Sequence, residues 1–145
     1  MKIQRNTKQR QMVLQALRAH AHHPTADQIY LDVREQDPKI SRGTVYRNLN
    51  LLAENGDILH VRTPGADHFD HRTDSHYHVI CMGCGTVCDA EIPYRDDDDL
   101  NTERVTGYII NRHRTVFEGV CPLCHTAQRA KCRRTSEPTS IASQN

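Results

Sequence analysis

Residues 40–56 read ISRGTVYRNLNLLAENG and predict one helix with a marked start and a marked end. Ser41 is an N-cap candidate because its hydroxyl can accept from the first free backbone amides of a helix. Asn55-Gly56 supplies a left-handed stop at the other end. One face of this helix is apolar at spacings of i, i+4 and i+7, at Val45, Leu49 and Leu52. The segment therefore predicts an amphipathic helix whose opposite face is polar.

The segments on either side predict two more helices and a hairpin. Residues 7–19 carry apolar residues at helical spacing, at Val13, Leu14 and Leu17. Thr25 and Gln28 form a capping box in front of a second amphipathic helix. Residues 58–69 place apolar residues on both sides of Pro64-Gly65, as a two-stranded wing would. Three helices followed by a hairpin predict a winged helix-turn-helix, with a small helical bundle as the alternative.

Composition and charge divide the chain into two unlike halves. The 145 residues suffice for one domain or two very small ones. Residues 1–66 carry ten Lys and Arg against six Asp and Glu, whereas residues 67–127 carry five against eleven. Six Cys and ten His stand beside no Trp and two Phe. The unequal charge of the two halves predicts two functions. The shortage of aromatic residues predicts that something other than an apolar core stabilises the fold.

The second half alternates short apolar runs with turns, which predicts a small α/β unit. Three strands are expected from the apolar residues Tyr77, 79–80, Val87, Ile92, 108–110 and 116–117, with a helix near 100–105. So small a sheet buries little, and a second copy is expected to cover it. The resulting class is α+β: a winged helix-turn-helix DNA-binding domain over 1–68 and a metal-binding dimerisation domain over 69–127. The polar segment 128–145 is expected to be disordered.

Two C-x2-C pairs form the strongest chemical motif. Cys81 and Cys84 make the first pair, and Cys121 and Cys124 make the second after a gap of 36 residues. Each pair places two sulfurs on one side of a turn, so four thiolates can bind one Zn²⁺ tetrahedrally. The alternative is redox chemistry at a single pair. We expect a structural zinc site that joins distant strands; such sites contribute about 10–16 kcal/mol of apparent binding free energy.

Nitrogen and oxygen ligands surround the first cysteine pair. His76 and His78 are alternate residues of a predicted strand and so face the same side. His23, Asp70 and Asp89 add a third imidazole and two carboxylates. Each residue alone reads as an ordinary surface residue. Together they would form a site suited to Fe²⁺ or Mn²⁺ rather than to a thiolate-seeking ion.

Four segments together resemble the Fur family of metal-dependent repressors. They are HHPTADQIY at 22–30, ISRGTVYRNLNLLAENG at 40–56, FDHRTDSHYHVICMGCGTVCD at 69–89 and GVCPLC at 119–124. The resemblance extends from about Thr7 to Ala127 and is most similar to the PerR branch of peroxide sensors. It implies a structural zinc at Cys81, Cys84, Cys121 and Cys124, and a regulatory Fe²⁺ or Mn²⁺ at His23, Asp70, His76, His78 and Asp89.

The chain departs from the family pattern at a further metal site that iron-sensing members often have. Ser75 and Tyr77 stand where that site's His and Asp would be, although His113 matches its later histidine. An intact third site is therefore not expected. Asp70 also stands where zinc-sensing members usually have a cysteine.

The polar face of the helix at 41–55 is the predicted DNA-reading surface. The resemblance favours contacts with double-stranded DNA from Thr44, Tyr46, Arg47 and Asn48. The candidate phosphate contacts are Arg10, Lys39, Arg42 and Arg62. A solvated helix face is the alternative for these residues. A homodimer would match two such helices to a palindromic operator.

The function implied by the resemblance is that of a repressor, not an enzyme, with hydrogen peroxide as its signal. Iron-catalysed oxidation of His23 or His76 would weaken the site and release the operator, whereas the manganese form would resist peroxide. An iron- or manganese-responsive regulator without a peroxide role is the alternative. A zinc hydrolase would need an open metal position, which a four-thiolate site lacks. A peroxidase that uses Cys88 is a third possibility.

The remaining signals are weaker. No secretory signal or membrane span is visible, so a cytoplasmic location is expected. The acidic run 96–99 is expected to be solvated at a helix start, Cys88 to be a small buried residue or a redox-sensitive thiol, and Cys132 to be incidental. Six histidines are expected at the surface: His20, His22, His60, His68, His71 and His125.

Overall fold

The N-terminal half forms three helices and a hairpin in the computed structural model, which describes residues 7–135, with side chains described as far as residue 128. The elements are α1 (Lys8–Ala19), α2 (Ala26–Gln36), α3 (Arg42–Glu54), β1 (Leu59–Arg62) and β2 (Asp67–Asp70). The two strands pair antiparallel, with Val61 opposite His68. The predicted winged helix-turn-helix is therefore confirmed.

Side-chain caps begin all three helices. Thr7, Thr25 and Ser41 each accept a hydrogen bond from the backbone amide three residues on, at 3.1–3.2 Å. Gln28 completes the predicted capping box, because its Oε1 accepts from the amide of Thr25 at 2.9 Å. Gly56, with φ +79°, follows α3. Each cap is worth about 1 kcal/mol, so the helix starts are set locally before any packing occurs.

The apolar stripes of the three helices pack into one core beneath the hairpin. Its fully buried members include Val13, Leu17, Ile29, Val33, Val45, Leu49, Ile58 and Phe69. Burial of each such side chain contributes roughly 1.5–3 kcal/mol. This core holds α3 by its apolar face and leaves Tyr46 and Arg47 exposed on the other face.

The C-terminal half is a three-stranded sheet with two helices. Its elements are β3 (Tyr77–Cys81), β4 (Val87–Ala90), α4 (Asp96–Thr106), β5 (Val116–Gly119) and α5 (Pro122–Thr135). The middle strand is β3, antiparallel to β4 and parallel to β5. The buried cluster at this sheet consists of Val61, Ile80 and Val87, with Val116 packed against it. The α+β class is confirmed, and so small a core requires another source of stability.

Residues 108–110 are not a strand, and that prediction is wrong. The chain leaves α4 through Gly107, which adopts φ +76°. The amide of Ile110 then donates to Glu103 Oε1 at 2.8 Å, so it is not available to a neighbouring strand. Ile109 is 87% exposed, because the turn carries it away from the sheet.

Helix α4 is longer than the helix near residues 100–105 that the sequence pattern predicted. Helix α4 begins within the acidic run, whose four Asp residues occupy its first turn, where the positive end of the helix dipole favours carboxylates. Helix α5, which the sequence pattern did not predict, continues to Thr135 and so includes residues 128–135 of the segment expected to be disordered. Residues 136–145 and the side chain of Cys132 lie outside the described residues. None of the described helices combines the length and apolar character needed to cross a membrane.

The loop before α2 joins the two halves. The amide of His23 donates to the carbonyl of Val87 in β4 at 3.1 Å, and the amide of Phe69 donates to the carbonyl of Pro24 at 2.9 Å. The predicted domain boundary after residue 68 falls within β2, which the loop contacts. The loop therefore lies between the hairpin and the sheet and brings His23 to the edge of β4.

Candidate metal centres

The four predicted zinc ligands come together at one end of the sheet. Cys81 ends β3 and lies opposite Gly119 of β5, because these two strands are parallel and in register. The second cysteine pair follows directly after β5, so parallel pairing places it beside the first. The four sulfur atoms lie within 4.8 Å of one another. The structure thus brings together two cysteine pairs that 36 intervening residues separate in sequence.

Position 83, in the turn between Cys81 and Cys84, has little room for a side chain. A Cβ atom on Gly83 would lie 3.0 Å from Cys124 Cβ and 3.1 Å from Cys124 Sγ. Contacts this short would require Cys124 to shift by a few tenths of an ångström. Gly83 therefore keeps the space in which the four sulfurs converge.

The protonation of the four cysteines favours a bound cation. The backbone amides of Cys121 and Cys84 donate to Cys81 Sγ at 3.3 and 3.4 Å and lower the pKa of Cys81 to about 6. Hydrogen bonds to the sulfurs of Cys121 and Cys81 keep Cys124 in the thiol form and raise its pKa to about 12. Four thiolates cannot share this space without a positive charge among them. The donor set fits Zn²⁺, which releases these protons as it binds.

A second cluster forms from the five predicted nitrogen and oxygen ligands. Its members come from the loop before α2, the end of β2, the start of β3 and the middle of β4: His23, Asp70, His76, His78 and Asp89. One ligand atom from each lies within 4.8 Å of all the others. Asp89 is directly opposite His78 in the antiparallel register. The backbone topology therefore accounts for the convergence that sequence spacing alone could not establish.

The distances within this cluster are short. Asp70 Oδ2 lies 2.9 Å from His76 Nε2 and 3.2 Å from His78 Nε2. Asp89 Oδ1 lies 2.7 Å from His23 Nε2 and 3.1 Å from His76 Nε2. The Nε2 atoms of His76 and His78 are 3.0 Å apart. Three imidazole nitrogens and one oxygen from each carboxylate thus converge on one small space.

Burial and hydrogen bonds prepare these groups to bind a cation. Burial lowers the pKa of His23, which leaves its imidazole neutral at pH 7. Asp70 is fully buried. Burial alone would raise the pKa of Asp70, but hydrogen bonds from His78 and from the amide of Arg72 lower it to about 2. The ring of His76 donates through Nδ1 to the carbonyl of Asp74 at 2.7 Å, which leaves the Nε2 lone pair facing inward.

The opposite face of β3 carries a closed hydrogen-bond network. The Tyr77 hydroxyl lies 2.8 Å from His113 Nε2, and Asp99 Oδ1 lies 2.6 Å from His113 Nδ1. The ring of Tyr94 stacks on His113 at 4.5 Å. Both ring nitrogens of His113 thus have protein partners. Asp99 is consequently part of this network and is not simply solvated, as the acidic run was expected to be.

The residues of the predicted DNA-reading face differ in exposure and in hydrogen bonding. Arg42 pairs with Asp27 at 2.9 Å, and the Tyr46 hydroxyl donates to the same carboxylate at 3.0 Å. Asn48, however, is buried, and its side-chain amide donates to the carbonyl of Thr44 at 2.9 Å. The placement of Asn48 on the polar face is therefore wrong, because its amide is used within the helix. Thr44 and Arg10 are half-buried.

One residue beside the five-residue cluster, His68, is not where it was expected. His68 was expected at the surface but is buried, and its Nδ1 donates to the carbonyl of His23 at 2.7 Å.

Cys88 lies opposite Val79, one residue from Asp89, so alternation along β4 turns it to the other face of the sheet. Burial, assisted by the charge of Asp89, raises the pKa of Cys88. Cys88 therefore stays a thiol, the less reactive form of cysteine.

The fold and the two clusters define a winged-helix protein with a metal-binding second domain. The chain belongs to the Ferric uptake regulator family, whose family model matches residues 2–136. The family resemblance seen in the sequence is thus confirmed.

Two peroxide regulators and one ferric uptake regulator are similar to this chain. The peroxide-responsive repressor PerR of Staphylococcus epidermidis is 37% identical over 122 residues, which cover 83% of this chain and 81% of that protein. The crystal structure of the Campylobacter jejuni peroxide stress regulator matches with a TM-score of 0.68 at 30% identity, over 80% of this chain and 88% of that one. The Helicobacter pylori ferric uptake regulator Fur, described as having three functional metal-binding sites, matches with a TM-score of 0.69 at 25% identity, over 83% and 82%.

Proposed function

We propose that this chain is a homodimeric, metal-dependent transcriptional repressor that binds a palindromic operator and releases it on exposure to hydrogen peroxide. The observation that carries the proposal is the five-residue cluster, because it joins the winged helix to the sheet of the second domain. The peroxide response of the S. epidermidis and C. jejuni proteins supports the choice of signal. A cytoplasmic location follows from the requirement for chromosomal DNA.

Each cluster has a donor set that favours one kind of ion. We assign structural Zn²⁺ to Cys81, Cys84, Cys121 and Cys124, and regulatory Fe²⁺ or Mn²⁺ to His23, Asp70, His76, His78 and Asp89. Fe²⁺ supplies the redox chemistry that activates peroxide, which Mn²⁺ does poorly. The five residues would hold the ion and keep it beside the imidazole rings.

The cluster couples metal binding to DNA binding through the loop before α2. His23 belongs to that loop, whereas His78 and Asp89 belong to the sheet. Five ligands on one ion would fix the angle between the two halves and hence the position of α3. An ion that favours the DNA-binding arrangement raises operator affinity, and the operator must raise metal affinity by the same factor.

Oxidation of a histidine would reverse this coupling. Peroxide would add one oxygen atom to the ring of His23 or His76, and its other oxygen would leave as water. The altered ring would no longer present Nε2 to the ion. The loop and the sheet would then no longer be joined through one ion. The winged helix is then free to leave the operator.

The two domains have different roles in this proposal, DNA binding and dimerisation. We place the DNA-binding domain at residues 1–68 and the dimerisation domain at residues 69–127. Exposed apolar side chains in the second domain support a homodimer: Leu100, Val105, Tyr108, Ile109, Phe117 and Leu123. A second copy that covers them would also supply the apolar burial that the small sheet lacks.

Peroxide treatment of the protein loaded anaerobically with Fe²⁺ or Mn²⁺ tests this function. We expect peroxide to abolish operator binding by the Fe²⁺ form, with one added oxygen on His23 or His76 in peptide mass spectra, and to leave the Mn²⁺ form bound. Peroxide consumption should be stoichiometric, as for a sensor rather than a peroxidase. DNA release that follows oxidation of Cys88, or an Fe²⁺ form that ignores peroxide, would contradict the proposal; the second result would favour a purely iron- or manganese-responsive regulator.

The DNA-reading face makes a separate prediction. Tyr46→Ala and Arg47→Ala should weaken operator binding and leave the dimer intact, since both side chains are exposed on α3. If Arg47 neutralises one phosphate, the slope of log affinity against log salt should fall by about 0.9. Fluorescence anisotropy titrations at several salt concentrations measure both effects. Arg34→Ala, an exposed change on α2, serves as the control, and unchanged affinity in both α3 variants would place the DNA contacts elsewhere.

A further inference from the structure

Arg72, in the connection between β2 and β3, contacts both carboxylates of the five-residue cluster. Its backbone amide donates to Asp70 Oδ1 at 2.8 Å. Its guanidinium donates through Nη1 to Asp89 Oδ2 at 3.0 Å. One residue therefore reaches both acidic ligands, although they lie on different strands.

The two contacts sort the carboxylate oxygens into an inner and an outer pair. The inner pair, Asp70 Oδ2 and Asp89 Oδ1, faces the histidine Nε2 atoms at 2.7–3.2 Å. The outer pair, Asp70 Oδ1 and Asp89 Oδ2, accepts from Arg72. Because the outer oxygens accept hydrogen bonds from Arg72, they point away from the centre of the cluster.

Asp74 fixes the guanidinium in this position. Arg72 Nε and Nη2 donate to the two oxygens of Asp74, each at 2.7 Å, in a bidentate arrangement. The remaining Nη1 then points at Asp89. A lysine could not reproduce this geometry, because an ammonium is a single point of charge without a planar fork. Although the Arg72 side chain is 45% exposed, three short hydrogen bonds restrain it.

We infer that Arg72 limits Asp70 and Asp89 to one ligand oxygen each, and so keeps one position at the regulatory ion open for peroxide. The inference rests on the proposed function. Five ligands with one donor atom apiece leave an octahedral-type ion one free position. If Asp89 were released, its second oxygen could swing inward and fill that position. Arg72 is thus a positioning residue that determines how the site reacts.

The test is Arg72→Ala, with Arg72→Lys as a second variant and Arg95→Ala as the matched control. The alanine variant keeps the backbone amide that holds Asp70, so only Asp89 is released. Arg95 is an exposed arginine whose side chain pairs with Asp98 and contacts no cluster residue. Electron paramagnetic resonance of the Mn²⁺ forms in ¹⁷O-enriched water reports whether a water molecule is bound directly to the ion.

Broadening by ¹⁷O water is expected for the unaltered chain and for Arg95→Ala, and its loss is expected for Arg72→Ala and Arg72→Lys. In the Fe²⁺ forms, the rate of histidine oxidation by peroxide should fall about tenfold or more in both Arg72 variants, within the range typical of residues that orient metal ligands. Loss in the lysine variant as well would show that the fork, and not the charge, is required.

The outcomes separate this inference from the proposed function. If the unaltered chain binds Mn²⁺ with a bound water and Arg72→Ala behaves identically, the role of Arg72 is refuted while the proposed function stands. Complete loss of Mn²⁺ binding in both Arg72 variants would also refute it, because Arg72 would then be needed to hold the ligands at all. If the unaltered chain binds no Mn²⁺ at the five residues, the proposed function itself fails.

Discussion

Cys81→Ser is expected to give a chain without zinc, without a folded C-terminal domain and without a dimer. The four-sulfur cluster connects the end of β3 to the segment after β5, and the apolar core of this sheet is too small to replace it. Structural zinc contributes about 10–16 kcal/mol of apparent binding free energy. A whole domain has a free energy of unfolding of about 5–15 kcal/mol. Loss of the site therefore costs about as much free energy as the whole stability of a domain.

Zinc content, circular dichroism and sedimentation measure this outcome, with Cys88→Ser as the matched control. Cys88 is on the same sheet but outside the cluster, so its serine variant should keep zinc and the dimer. Cys121→Ser should behave as Cys81→Ser does. A folded, zinc-free dimer of either cluster variant would exclude the four-thiolate site.

Asp70→Asn is expected to abolish the effect of Mn²⁺ on operator binding while the protein stays folded. Asn has nearly the same shape, but it removes the negative charge at a fully buried position between three imidazoles. Residues that merely orient ligands change metal affinity about 10–100-fold, so loss of a ligand should cost about 100-fold or more. Without that affinity, the coupling to DNA, typically about 5–150-fold, disappears.

Calorimetric titration with Mn²⁺ and operator titrations with and without Mn²⁺ check this expectation. Asp99→Asn is the matched control, because Asp99 also bonds a histidine at 2.6 Å but belongs to the network on the other face of β3. That variant should bind Mn²⁺ as the unaltered chain does. Mn²⁺ binding that survives Asp70→Asn and fails in Asp99→Asn would move the regulatory site to the other face.

Local patterns predicted the features whose causes are local. The capping box at Thr25, the apolar stripe of α3 and the two cysteine pairs each depend on residues close together in sequence, and all are found in the structure. The pairing of His76 with His78 followed from strand alternation alone. Convergence with His23 and Asp89 required the register of β3 and β4 and the backbone bond from His23 to Val87, which spacing could not reveal.

Features that depend on tertiary contacts were missed. Asn48 carries a polar side chain on an otherwise solvent-facing pattern, and only the packed helix shows that its amide bonds the carbonyl of Thr44. His68 and Arg72 gave no motif, because their role is to hold other residues. The apolar run 108–110 has strand composition, but Gly107 and the bond from Ile110 to Glu103 direct the chain elsewhere.

Strand β3 and the residue before it carry ligands of both candidate metal centres. His76 immediately precedes the strand, His78 is its second residue, and Cys81 ends it. Whatever anchors Cys81 also fixes the position of the two imidazoles. On the proposed assignment of zinc to the four cysteines, a newly made chain would have to acquire zinc before it could form the regulatory site. A cell short of zinc would then accumulate chains that respond to neither iron, manganese nor peroxide.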